Sequence, residues 1–249
     1  MDMHISPSII MRIKEFGESD LIVTFFTRDH GRIKGVAKGA RRSRRRFSNS
    51  LDLFCLSDVE YSLKSNGDIH FLHSSKLIKP FPGIRSDFSA LSLASYMIEL
   101  TEILFPQNIV EKRMFELLKN CFVLLSQGER MDCLRIFFET KAMNLGGYAV
   151  SLDKCCHCKR IYSGAGRAVF IPNRGGISCL KCERESEYSI GLEPEAVNIL
   201  RTLQSESDGS PSEILQVDMK IINEIRHLLK LHIDYRIGRK IKSAEYLDW

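Results

Sequence analysis

Leu21-Ile22-Val23-Thr24-Phe25-Phe26, then Asp29-His30-Gly31, then Arg32-Ile33-Lys34-Gly35-Val36-Ala37-Lys38 is the stretch that decides how this chain begins to fold. The first run is dense in β-branched and aromatic residues, the second supplies turn chemistry, and the third alternates in polarity. With the two-residue period of a strand, Arg32, Lys34 and Lys38 share one face while Ile33 and Ala37 share the other. Such a strand packs a core with one side and shows charge on its other. Outward from this hairpin, residues 8–76 read as short strands, with further members expected at 51–56, 60–63 and 69–73. Asn66-Gly67 is a hairpin signal between the last two, because both turn positions need positive φ.

Five short strands in about 70 residues predict a small barrel, and an oligonucleotide-binding (OB) barrel suits the charge. Pro80-Phe81-Pro82-Gly83 ends that regime, and the period then becomes helical. Phe88, Leu91, Ala94, Met97, Ile98 and Leu100 form one apolar face. A second contains Ile109, Met114, Leu117, Leu118, Cys121, Phe122 and Leu125, and a third covers 130–145 and stops at Gly146-Gly147. Helical pattern resumes at 193–203, a Ser- and Asp-rich linker is expected at 204–213, and a last helix spans about 217–237, closed by Gly238. The fold class is therefore α+β multidomain. A five-stranded OB-fold barrel (1–80) precedes a mainly helical domain (81–249), interrupted at 151–184 by a small zinc-ribbon-like module.

That module is marked by Cys155-x-x-Cys158 and Cys179-x-x-Cys182. Four thiolates in two paired knuckles are what a tetrahedral Zn²⁺ site requires, so one structural Zn²⁺ is expected on Cys155, Cys158, Cys179 and Cys182. Four protein ligands leave no position for an activated water, which disfavours a catalytic metal. Cys156 and His157 would break the symmetrical spacing and are placed outside the ligand set. Cys55, Cys121 and Cys133 are isolated and read as buried core residues.

The 249 residues carry a formal charge of +5, and all of that excess lies in residues 1–80, which hold 14 Lys/Arg and 9 Asp/Glu. Lys38-Gly39-Ala40-Arg41-Arg42-Ser43-Arg44-Arg45-Arg46-Phe47 concentrates six basic residues in ten positions, and no acid occurs between Asp29 and Asp52. Planar guanidinium forks suit phosphate, so this cluster points to a polyanion recognised without base specificity. Phe47 closes a barrel end more readily than it stacks a base. No apolar run approaches the roughly 20 residues of a membrane span, and the N-terminus lacks a secretory pattern, so a cytoplasmic protein with no membrane partner is expected. No phosphate loop, dinucleotide fingerprint or histidine triad occurs, which argues against an enzyme. RNA binding, or a scaffold whose basic loop holds an acidic protein, remain alternatives at this level.

Phe16-Gly17-Glu18-Ser19-Asp20-Leu21, Phe26-Thr27-Arg28-Asp29-His30-Gly31-Arg32 and Gly35-Val36-Ala37-Lys38-Gly39-Ala40-Arg41-Arg42 resemble the N-terminal signature of the RecO family of bacterial DNA repair proteins. Gly147-Tyr148 and Tyr235-Arg236-Ile237-Gly238-Arg239-Lys240-Ile241-Lys242-Ser243 are similar to its later blocks. The resemblance implies a nucleoid-associated recombination mediator that binds single- and double-stranded DNA and anneals complementary strands. It also implies cooperation with RecR in bringing RecA onto DNA coated by single-stranded-DNA-binding protein. On this reading Lys38, Arg41, Arg42, Arg44, Arg45 and Arg46 contact DNA, with Arg32 and Lys34 on the same strand face. The helical domain is then expected to receive the acidic, hydrophobic C-terminal tail of single-stranded-DNA-binding protein. Ile222, Ile225, Leu229 and Ile233 would form a buried stripe there, with Arg226 and Lys230 on a basic rim.

Overall fold

The computed structural model describes residues 2–63, 69–186, 189–205 and 217–247. The Asn66-Gly67 turn and most of the 204–213 linker fall outside them. The chain forms two compact units, Met1–Gly128 and Glu129–Trp249. The sequence-based division at 80/81 marks the change from strands to helices, whereas the compact units part after the third helix.

In the first unit, strands β1 (Met3–Phe16), β2 (Asp20–Thr27), β3 (Gly31–Ala37), β4 (Leu56–Ser62) and β5 (His70–Lys79) close into a barrel in the order β1-β2-β3-β5-β4. All pairings are antiparallel except β3 with β5. This is the five-stranded OB arrangement expected from the sequence. Ile10, Val23, Phe25, Ile33, Ala37, Val59, Tyr61 and Leu72 fill the barrel.

One of the expected strands is replaced by another. Residues 51–55 are not a strand: Asn49 and Phe54 take left-handed backbone (φ 52° and 69°), and Leu51 turns in to seal the barrel. Their place is taken by the 14-residue β1, which the two-residue period does not single out because much of it is buried on both sides. Ile10 faces the barrel interior, while its neighbours Ile9 and Met11 are buried outside that cluster.

Helices α1 (Pro82–Ser86), α2 (Phe88–Leu104) and α3 (Lys112–Ser126) complete this unit. Phe26 of β2 meets Phe115 of α3, and Phe54 and Phe81 set their rings edge-on to Phe122. Two residues expected on inward helix faces point out: Phe88, at the start of α2, and Ile109, which precedes α3, are exposed.

The second unit contains α4 (Met131–Leu145), a three-stranded sheet in the order β7 (Gly176–Cys179), β6 (Ala168–Ile171), β8 (Ile190–Leu192), then α5 (Pro194–Gln204) and α6 (Met219–Ile237). The cysteine module is thus inserted between helices, and its sheet runs past the expected limit at 184 to Leu192. Ile222, Ile225, Leu229 and Ile233 are buried along α6, as their spacing requires, and Gly238 ends the helix at φ 64°. The Tyr148 carbonyl accepts a hydrogen bond from His232 Nε2 at 2.7 Å, joining the Gly147-Tyr148 block to α6. No described helix is long and apolar enough to cross a membrane.

Candidate nucleic-acid interface

The arginine segment is a built loop. After β3, Gly39 turns at φ 68° and a short 3-10 turn covers Ala40–Arg42. Ala40, Phe47 and Leu51 all enter the barrel core, so both ends of the arginine run are nailed down by apolar burial. Phe47 therefore plugs the barrel and is removed from base contact. Between the plugs, Arg41, Arg42, Arg44, Arg45 and Arg46 are exposed.

The turn between β1 and β2 holds this loop. Asp20 Oδ1 accepts the Gly39 N–H at 2.8 Å, and the Ser19 carbonyl accepts the Arg41 N–H at 3.0 Å. Two of the sequence blocks quoted above, 16–21 and 35–42, are thus one structural device. Asp20 and Ser19 were missed as contributors to the site, although the motif containing them was visible.

The cations differ in what already engages them. Arg41 Nη1 lies 3.1 Å from Glu15, and Arg42, whose side chain is 74% exposed, lies 4.0 Å from Glu18. Arg46 donates to the Lys38 carbonyl at 2.7 Å and stands over the Phe47 ring, so it also braces the loop. Among the described residues Arg44 and Arg45 make no ion pair. The absence of acids from 30 to 51 leaves these two as the least compensated charges. Arg32 departs from expectation: its side chain is only 19% exposed and lies 3.8 Å from Glu102 of α2. The same carboxylate takes a two-pronged contact from Arg12, at 2.9 and 2.5 Å. Arg32 therefore ties β3 to a helix and is not presented with the loop.

Lys34 and Lys38 do lie on the outer barrel face. The Lys38 ammonium is 5.6 Å from the centre of the Phe71 ring. Phe71, half-buried on β5, was not singled out from the sequence; its signal was alternation with the core residue Leu72.

In the second unit the four motif cysteines converge, their Sγ atoms all lying within 4.8 Å of one another. Cys158 and Cys179 sulfurs are 3.8 Å apart, and a tetrahedral tetrathiolate with metal–sulfur bonds of about 2.3 Å has edges of about 3.8 Å. The cluster is thus dimensioned for a metal ion. Cys155 sits in a turn closed by the Lys159 N–H to its carbonyl, and the Cys182 N–H closes the second knuckle onto the Cys179 carbonyl at 2.9 Å. Burial alone would raise the Cys155 thiol, but the Ser178 hydroxyl and nearby backbone N–H groups outweigh it and bring it down to about 5. Cys182 moves the other way, up to about 12, because its thiol donates to Cys179 and Cys158. Full ionisation of the set calls for a cation at its centre. Cys156 and His157 are outside the cluster, and His157 faces Glu183 at 3.9 Å. Cys55, Cys121 and Cys133 are buried and apart, as expected.

The two residues expected to rim a partner site on α6 separate. Lys230 borders a groove of about 510 Å³ at the helix C-terminus, floored by Ile233 and Ile241 and edged by Arg239 and Lys240. Arg226 is not in that lining; its Nε is buried. Lys230 is paired with Asp234 at 3.0 Å, and Lys240 with Glu245.

Residues 1–81 match the family model described as Recombination protein O N terminal, and residues 85–245 match Recombination protein O C terminal. The chain is 33% identical over 247 residues to a DNA repair protein RecO of Syntrophus aciditrophicus, covering 98% of this chain and 95% of that one. It is 36% identical over 197 residues to a DNA repair protein RecO of Geobacter metallireducens, covering 78% and 77% of the two chains. A DNA repair protein RecO of Symbiobacterium thermophilum is 29% identical over 242 residues, at 96% and 94% coverage. With both family models matched in order around an OB barrel that carries an anchored arginine loop, the chain belongs to the RecO family of DNA repair proteins.

Proposed function

We propose that this chain is a DNA-binding recombination mediator that anneals complementary strands. It would act with RecR to load RecA onto DNA coated by single-stranded-DNA-binding protein. Family membership supports the general role in recombinational repair, which involves no catalytic step. The observation that carries the DNA reading is the anchored loop, on which Arg44 and Arg45 stand exposed beside Arg41 and Arg42. Annealing follows from such a surface by electrostatics. Two single strands repel through their phosphates, and a basic surface that holds both lowers that repulsion and raises their local concentration. Contacts to sugar and phosphate leave base edges available, and pairing supplies the driving force.

The four-cysteine cluster is assigned one Zn²⁺ with a structural role, because all four sulfurs are protein ligands and the spacing suits a closed tetrathiolate. When bound, the ion would neutralise the thiolates and hold the two knuckles on the β6–β7 hairpin. For the tail of single-stranded-DNA-binding protein we favour the groove beside Lys230, Arg239 and Lys240, where an apolar floor and cationic edge match an acidic peptide with a hydrophobic end. Arg226 is not included. The protein is assigned to the cytoplasm, in association with the nucleoid.

Competition between matched single-stranded DNA, duplex DNA and RNA, with annealing measured in parallel, tests this function. Binding to both DNA forms with accelerated annealing is expected. A strong preference for RNA without annealing would replace the mediator by an RNA-binding role.

A further inference from the structure

Strand β7 joins the cysteine cluster to the last helix. It runs from Gly176 to the motif cysteine Cys179, a span of about 10 Å at roughly 3.3 Å per residue. At the Gly176 end the β6–β7 turn rests on α6, where Gly175 lies so close to Arg236 that a Cβ there would overlap the guanidinium. On β6, Phe170 sets its ring edge-on to His232, with centres 5.8 Å apart. His232 and Arg236 are one turn apart and face this hairpin. Lys230 and Asp234 lie about 160° around the helix from His232 and line the groove, together with Ile233. The end of α6 therefore has the hairpin on one side and the groove on the other. At the far end of β7 the sulfurs are open to attack. Cys158 and Cys182 are exposed and Cys179 is half-buried, while Cys155 is buried.

We propose that Cys182 and Cys179 form a thiol-oxidation site, at which a peroxide closes a disulfide, releases the metal and weakens peptide binding in the α6 groove. The assignment rests on the readings of the cluster as a metal site and of the groove as a seat for an acidic peptide. The Cys182 sulfur attacks one peroxide oxygen; the O–O bond breaks, Cys182 becomes a sulfenic acid and hydroxide leaves. The Cys179 sulfur then attacks that of Cys182; the S–S bond forms, the S–O bond breaks and a second hydroxide leaves. Two protons complete two waters, the peroxide having gained two electrons and each sulfur having lost one. Cys179 is the partner because the chain itself holds the two together, the Cys182 N–H bonding the Cys179 carbonyl at 2.9 Å. Cys158 also lies near Cys179, at 3.8 Å, but it belongs to the other knuckle and is free to part from it once the ion leaves. After closure the second knuckle offers no thiolate, and Cys155 and Cys158 are only half of the ligand set of a closed site. The β6–β7 hairpin then keeps backbone hydrogen bonds, such as the Cys156 N–H to the Ile177 carbonyl, but loses its tether at Cys179. His232 and Arg236 lose their firm backing with it.

The full-length protein, purified with its zinc, is titrated with a labelled acidic peptide ending in phenylalanine, before and after exposure to hydrogen peroxide. A chromogenic chelator reads released zinc and mass spectrometry maps disulfides. Peroxide should release the zinc, join Cys179 to Cys182 and weaken the peptide by about five- to tenfold, the low end of coupling between sites. Hydrogen exchange should rise at residues 233–238, while oligonucleotide affinity stays unchanged. Removing zinc with a chelator under reducing conditions should weaken the peptide equally. Dithiothreitol with added zinc should restore both samples, which separates the thiol step from methionine oxidation. Cys156→Ser, outside the cluster, should respond as the wild type does, and loss of the response in that variant would move the reactive thiol and overturn the assignment. If the protein purifies without zinc, the metal reading fails; if the reduced, zinc-loaded protein does not bind the peptide, the groove reading fails, and either takes the proposal with it. If the peptide binds and neither peroxide nor chelation alters its affinity, or a Cys158–Cys179 disulfide forms with the groove intact, the proposal alone is overturned. A parallel fall in oligonucleotide affinity would mark general unfolding and would overturn it too.

Discussion

Replacing Asp20 tests whether the arginine loop works as a positioned surface or only as a store of charge. Asp20 accepts the Gly39 N–H at 2.8 Å, and a hydrogen bond to a charged acceptor contributes about 1.5–3 kcal/mol, less where water competes. Asp20 is half-exposed and water competes for its carboxylate, so a loss of about 1–1.5 kcal/mol of loop ordering is expected for Asp20→Ala, just below that range. The same carboxylate repels incoming phosphates. At about 8 Å in water that repulsion is about 0.5 kcal/mol before salt screens it further. The anchoring effect is the larger, so Asp20→Ala should weaken DNA binding roughly five- to tenfold as the freed loop must be ordered on binding. Asp20→Asn keeps an acceptor and removes only the charge, so its affinity should match or slightly exceed the wild type. Anisotropy of a labelled oligonucleotide at physiological salt gives the affinities, and hydrogen exchange at the Gly39 and Arg41 amides reports the anchor. Equal tightening in both variants, with no loss of amide protection in Asp20→Ala, would refute the positioning role.

Two further outcomes are expected from the second unit. Purified protein should hold about one zinc per chain, and Cys158→Ser should release it and expose the Ala168–Ile171 strand to hydrogen exchange while oligonucleotide affinity is retained. Full zinc retention in that variant would bring Cys156 or His157 into the ligand set. His232 is buried, donates through Nε2 to Tyr148, and is held below its ordinary pKa of 6.5 by burial and by nearby Arg236, which outweigh that hydrogen bond. The folded state resists the proton that the unfolded chain accepts, so this contribution is present above about pH 6.5 and is lost as pH falls below it. Thermal midpoints measured from pH 7.5 to 5.5 should therefore decline, and His232→Gln should flatten that decline. An unchanged slope would place the acid sensitivity elsewhere.

Part of this architecture is legible in the amino-acid sequence. Strand β3 was readable because its alternation from Arg32 to Ala37 meets a barrel interior on one side and solvent on the other. Strand β1 was not individually readable, because Ser8-Ile9-Ile10-Met11 is buried without alternation. Residues 51–56 looked extended, yet Phe54 at positive φ and Leu51 in the barrel make them a turn that seals an end. The cysteines could be grouped because ligand spacing is a local property. Arg32 could not be distinguished from Lys34 by strand period alone, since only the helix carrying Glu102, some 70 residues later, sets them apart. Phe47 shows the same limit in a milder form: its sequence neighbours are exposed arginines, and its spatial neighbours are the barrel core.

The central claim is that the loop from Lys38 to Arg46 binds nucleic-acid phosphates. It is tested most directly by the dependence of single-strand affinity on salt, compared between the wild type and the Arg41→Ala/Arg42→Ala/Arg44→Ala/Arg45→Ala variant. Each lost phosphate contact should lower the slope of log K against log salt by about 0.7 on a single strand. Arg44 and Arg45 have no ion pair among the described residues, while Arg41 and Arg42 are shared with Glu15 and Glu18. The slope should therefore fall by about 1.4 if only the first two engage, and by up to about 2.8 if all four do, with affinity weakened across unrelated sequences. An unchanged slope and an unchanged affinity would contradict the account and leave the loop as a solvated charged surface.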